Sequence, residues 1–142
     1  MIITSYYQKA KVGDLSISVG NFRYARFPIS KILELTPLSV IGKDWARLSD
    51  EEYIYLFKRG LLKLNPCEVL QKIKNGKNEA CILCFEKFDK FCHRHIIASW
   101  LNNELGEPFV ERDLPKGYVF NKEKFLYEKK IEEERCLNLW SE

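Results

Sequence analysis

No apolar run in this 142-residue chain approaches the roughly 20 residues that a bilayer-spanning helix needs, so no membrane partner is expected. The opening "MIITSYYQKAKVGDLS" lacks the charged, apolar and cleavage regions of a secretory leader, which makes the cytoplasm the expected location. Histidine is scarce, with two in the chain, and no second paired-cysteine cluster accompanies the one at 81–84. That leaves few ligand sets for a structural zinc. The charge excess is small as well: 23 basic against 20 acidic residues, a formal +3, permits an anionic partner without demanding one. Five cysteines (Cys67, Cys81, Cys84, Cys92, Cys136) are an odd number, and in a reducing compartment they are read as thiols, ligands or nucleophiles rather than a disulfide framework.

What is present describes a globular domain. Apolar residues make up 46% and charged residues 30%, far from the composition of a disordered chain, and the length suits one domain over 1–142. "MIITSYYQ" and "LSISVG" read as strands joined by a turn around Gly13-Asp14. Pro28 argues against a central strand in the segment that follows. Thr36-Pro37 and Asn65-Pro66 each place a capping side chain before a proline at the first helical position. Ser49 to Glu52 forms a capping box ahead of a helix over 50–64, and Asn75-Gly76 stops the next one. "EACILCFE" has the continuous apolar pattern of a strand covered on both faces in a parallel sheet. A helix from about Lys90 to Leu105, with Asp89 as its cap, follows, and then a strand in "EPFVERDL". The charged stretch from 121 to about 139 reads as an amphipathic C-terminal helix. The alternation predicts an α/β fold: one compact domain with a mostly parallel central sheet, flanking helices and that C-terminal helix.

The residues that carry chemistry crowd into "ILCFEKFDKFCHRH", 82–95. Cys81 and Cys84 form a C-x-x-C pair, but alternate residues of a strand face opposite ways, so the two cannot grip one metal. Cys81 is read as a core thiol. Cys84 lies at the strand's end, on the face of Glu86, where ligands of parallel α/β sheets bind. The helix starting near Cys92, His93 and Arg94 presents free N–H groups there, and Lys87, Lys90 and Arg94 add positive charge. The place suits a phosphate or carboxylate, and the same field favours a thiolate on Cys84 or Cys92 with His93 as proton shuttle. Neighbouring cysteines also permit a transient disulfide. A zinc set would draw on Cys84, Cys92 and one or both of His93 and His95, yet helical residues two apart diverge by roughly 200°, so both histidines do not easily converge; no cofactor is expected, with zinc as the alternative. Upstream, "GNFRYARF" interleaves Arg23 and Arg26 with aromatics, a combination that binds nucleotides and single strands but that half-buried packing explains slightly better.

"ISVGNFRYARFP", "LELTPLSVIGKDWARLSDEEYIYLFKRGLLKLNPCEV" and above all "CILCFEKFDKFCHRHIIASWL" resemble the bacterial, archaeal and phage family called domain of unknown function 488. The resemblance covers residues 2 to about 113 and rests on Cys84, Glu86, Cys92, His93, Arg94, Ala98 and Leu101. It implies a compact α/β fold with this motif at a strand-to-helix junction, and transfers a site rather than a reaction. Family members often carry Asp-x-Arg or Ser-x-Arg near the N-terminus, where this chain departs with Ser18-Val19-Gly20-Asn21-Phe22-Arg23. The expectation is a pocket for a phosphate-bearing ligand, a nucleotide or nucleic acid, bound by Arg23, Glu86, Lys87 and Arg94. The alternatives are a thiol-dependent enzyme using Cys84 or Cys92 with His93, and an interaction protein that docks through its C-terminal helix.

Overall fold

The computed structural model describes residues 1–130. Strand β1 (Ile2–Tyr6) is followed by the short strands β2 (Leu15–Ser16) and β3 (Ser30–Lys31), then by helices α1 (Pro37–Val40), α2 (Asp50–Leu61) and α3 (Pro66–Lys74). Strand β4 (Ala80–Cys84), helix α4 (His93–Leu105) and strand β5 (Phe109–Glu111) complete the α/β core, and a hairpin of β6 (Tyr118–Asn121) and β7 (Leu126–Lys129) follows. Among the described residues no helix is long and apolar enough to cross a membrane.

The sheet is parallel throughout, in the order β3-β2-β4-β1-β5. The continuous apolar run thus sits at the centre: Ile82 faces the main core with Ile2, Phe57, Ile96, Ile97 and Leu101, while Cys81 and Leu83 face a smaller cluster with Tyr7 on the other side. β1 and β2 are not neighbours, because β4 inserts between them. From β1 the chain travels toward one edge of the sheet and from β4 toward the other, a topology that opens a crevice at the carboxyl ends of the strands.

The helix starts follow from their sequences. Thr36 Oγ1 accepts from the Ser39 N–H, Asn65 Oδ1 from Cys67 and Glu68, and Ser49 and Glu52 exchange the two bonds of a capping box. Asn75 closes α3 in the left-handed region, at φ 46°. Gly60 lets α2 lie against Val40: a Cβ there would stand 2.5 Å from Val40 Cγ1 and 2.6 Å from its carbonyl oxygen.

Two expectations need correction. The first part of the proposed C-terminal helix is a β-hairpin, and the remainder, from residue 131, lies outside the described residues. Asn121 Oδ1 accepts from the N–H groups of Glu123 and Lys124, fixing a tight polar turn, and Phe120, Phe125 and Tyr127 pack together beside His95. A local side-chain turn and aromatic packing outweigh the charged, helix-compatible composition. Asp89 does not cap α4 either, because a turn closed by Lys90 N–H to Lys87 O intervenes and Cys92 takes the cap position.

Candidate functional site

Cys84 is the last residue of β4 and Cys92 the cap of α4, so the segment 85–91 returns the chain to bring the two sulfurs together. They are bonded to each other, both residues are buried, and their Cα atoms lie 7.5 Å apart. As the cap residue Cys92 makes no side-chain capping bond to the backbone N–H groups of the first turn of α4.

His93 is buried against Tyr53 and Phe57, with its Nε2 2.6 Å from the Ile17 carbonyl oxygen and its Nδ1 3.8 Å from Cys92 Sγ. A carbonyl only accepts, so Nε2 carries the hydrogen and Nδ1 presents its lone pair toward the sulfurs. Burial pushes the His93 pKa down to about 4, with smaller contributions from Arg94 and His95, which keeps the ring neutral near pH 7.

Arg94 is 0% exposed. Its Nη1 donates to Cys84 Sγ at 2.9 Å and to the Glu86 carbonyl oxygen at 2.6 Å, while Nε and Nη2 donate to the two oxygens of Glu111 at 3.3 and 3.0 Å. Glu111, at the end of β5 with its side chain likewise buried, also accepts from Thr4 Oγ1 at 2.6 Å and lies 3.2 Å from His95 Nε2. Burial alone raises the Glu111 pKa, but His95 and Arg94 more than offset this and hold it below the usual carboxylate value. His95 points away from the sulfurs, with Nδ1 2.8 Å from the Phe125 carbonyl oxygen. Burial draws the His95 pKa below the ordinary histidine value, although the Glu111 carboxylate and the Phe125 carbonyl facing its two nitrogens oppose that shift.

The bonded sulfurs and His93 form one wall of a cleft of about 530 Å³, bounded also by Ser18, Gly20, Trp45, Asp50, Tyr53, Phe85, Glu86 and Lys90. A larger groove of about 810 Å³ between α2, α4 and the hairpin turn is lined by neither cysteine nor histidine. The structure therefore joins Cys84, Cys92, His93 and Arg94 in one place. Glu86 contributes its carbonyl to that place, with its side chain exposed. Lys87 and Arg23 are exposed and do not line the cleft; Phe22, next to Arg23, stacks on Tyr7 at 5.2 Å between ring centroids. Cys81 stands on the opposite sheet face, where burial pushes its thiol up to about 12.

Sequence reasoning missed Glu111 altogether. The available signal was an acidic residue at the carboxyl end of a strand in a parallel sheet, where the site also sits. No family model matches the chain, and no curated protein and no solved structure matches it.

Proposed function

We propose that the protein performs thiol–disulfide chemistry, with Cys84 as the nucleophile and Cys92 as its resolving partner. The observation that carries this reading is the position of Cys84 Sγ, bonded to Cys92 on one side and held by the Arg94 guanidinium on the other, at the wall of an open cleft. A guanidinium donating to the sulfur stabilises the thiolate, the reactive form of cysteine. With the pair reduced, the Cys84 thiolate attacks one sulfur of a substrate disulfide and expels the other as a thiolate, forming a mixed disulfide. Cys92 gives its proton to the thiolate already expelled from the substrate and attacks Cys84 Sγ, releasing the second substrate thiolate and leaving the Cys84–Cys92 bond. A thiol reductant then returns the pair to its starting state.

The test is stopped-flow reaction of the reduced protein with a small aromatic disulfide at neutral pH. Cys84→Ser should abolish the fast phase, and Cys92→Ser should stall at a mixed disulfide on Cys84, visible by mass. If neither cysteine of the wild-type protein reacts faster than a free model thiol, the reading is wrong.

A second reading, binding of a phosphate-bearing ligand such as a nucleotide or nucleic acid, is favoured by the uncapped first turn of α4 and by Lys90 at the same cleft. Arg94 is not available to such a ligand, since Glu111 and Cys84 engage it. Calorimetric titration with a nucleoside triphosphate, lost in Lys90→Ala, supports this reading; the absence of any heat sinks it. The Cys84, Glu86, Cys92, His93, Arg94 pattern also supports a relationship to the domain of unknown function 488 family, with the site rather than a reaction in common.

A further inference from the structure

We propose that the reduced form of this site binds one thiophilic divalent cation of the zinc type through Cys84 Sγ, Cys92 Sγ and His93 Nδ1. The proposal rests on the reading of Cys84 and Cys92 as a reducible pair, and adds a ligand to it.

Three observations carry it. The three ligand atoms lie within 4.8 Å of one another, and all three residues are buried. Two thiolates and an imidazole are a good donor set for zinc. His93 is already set as a ligand: its Nε2–H is held by the Ile17 carbonyl, the outer contact that metal-binding histidines make, so the lone pair of Nδ1 is directed at the sulfurs. The third observation is the backbone. The two Cα atoms are 7.5 Å apart, wider than the roughly 4.4–6.8 Å usual between bridged cysteines. Two sulfurs on a tetrahedral zinc stand roughly 3.8 Å apart, given Zn–S bonds of about 2.3 Å, so an ion between them suits the wider spacing.

The cleft beside the three residues offers the fourth position to water or to a substrate group. Arg94 Nη1 remains as a donor to the Cys84 sulfur, offsetting part of the charge of two thiolates on a dication. His95 takes no part, because both its nitrogens are engaged elsewhere.

Reducing the Cys84–Cys92 bond consumes two electrons and two protons from a dithiol reductant, which is itself oxidised to a disulfide; cation binding then displaces the two thiol protons. Oxidation of the pair must release the cation.

The experiment uses the full chain, reduced under argon, with Zn²⁺ alone and with Co²⁺ as a spectroscopic stand-in. One zinc per chain should survive gel filtration and native mass spectrometry, and be lost when the disulfide is formed. Zinc X-ray absorption on the wild-type protein should show two sulfur ligands and at least one imidazole nitrogen, a reading that needs no variant. His93→Ala and Cys92→Ser should each weaken binding by roughly 100-fold or more, while Cys81→Ser leaves it unchanged. No retained zinc, a shell of oxygen ligands, or equal retention by the oxidised protein overturns the proposal. The disulfide-probe reaction, run on the same metal-free samples, separates the two claims: fast thiols without zinc leave the thiol chemistry standing alone, and zinc with slow thiols leaves the metal site alone.

Discussion

Replacing Glu111 by alanine should destabilise the domain by about 3–5 kcal/mol, the usual loss when one partner of a buried ion pair is removed. The figure follows from what the carboxylate holds. It accepts two bonds from the fully buried Arg94 guanidinium and one from Thr4, and it faces His95, so its removal leaves a buried cation without its counter-charge and takes one partner from Thr4 and one from His95. Against a total stability of roughly 5–15 kcal/mol for such a domain, this is a large fraction. In urea at pH 7, a loss of about 4 kcal/mol with an m-value of about 2 kcal/mol/M lowers the midpoint by roughly 2 M. The companion variant carries Arg94→Met and Glu111→Leu together. It removes both charges and leaves Thr4, His95 and the Glu86 carbonyl each short of a partner, costing about 1–3 kcal/mol, so it should be more stable than Glu111→Ala. A midpoint for Glu111→Ala within 0.5 M of wild type (roughly 1 kcal/mol), or a double variant no better than the single one, would refute the reasoning. The double variant also separates structure from chemistry, because it folds without the cation beside Cys84 and should therefore react more slowly with a disulfide probe.

Alkylation of the reduced native protein at neutral pH, mapped by peptide mass, should label Cys84 before Cys81, whose burial holds it as a thiol with a pKa of about 12; early labelling of Cys81 would contradict the packing of its sheet face. Gly60→Ala should destabilise by about 1–3 kcal/mol in thermal or urea unfolding, although alanine ordinarily favours a helix, because the new methyl meets the immovable Val40 carbonyl; a gain in stability would refute the close approach. In chelator-treated protein, stability should fall as pH drops from about 6.5 to 4. The unfolded His93 takes up a proton over that range that the folded ring refuses until about 4, which gives a slope of up to about 1.4 kcal/mol per pH unit from this residue; His93→Gln should remove that part and leave the part His95 adds in the same direction, and an unchanged slope in that variant would exclude His93 as a source.

The parallel core was legible in the sequence because each of its signals is local. Thr36, Ser49 and Asn65 cap helices by bonding to neighbours two or three residues away, and the apolar run around Ile82 carries its two-faced burial in its composition. Cys84, Cys92, His93 and Arg94 were legible as a cluster for a similar reason, since one strand end and one helix start bring them together. The role of Arg94 was not. Its partner Glu111 is 17 residues away at the end of β5, and only the sheet order, with β1 between β4 and β5, places it beside the start of α4. The hairpin was hidden because Lys122, Glu123 and Lys124 suit a helix as well as a turn. What decides between them is the contact of Phe120, Phe125 and Tyr127 with His95 and with one another, which no single segment reveals.

That hairpin also reaches the segment between the two cysteines. The Tyr127 N–H donates to the Phe88 carbonyl oxygen at 2.8 Å, and the Phe88 ring meets Tyr118 edge-on. Phe88 stands midway between Cys84 and Cys92, so the freedom of the two sulfurs to separate is limited by a brace that belongs neither to the sheet nor to the helix that carries them. A chain cut before Tyr118 would keep every residue of the motif and lose the brace, leaving the same thiols on a slacker tether.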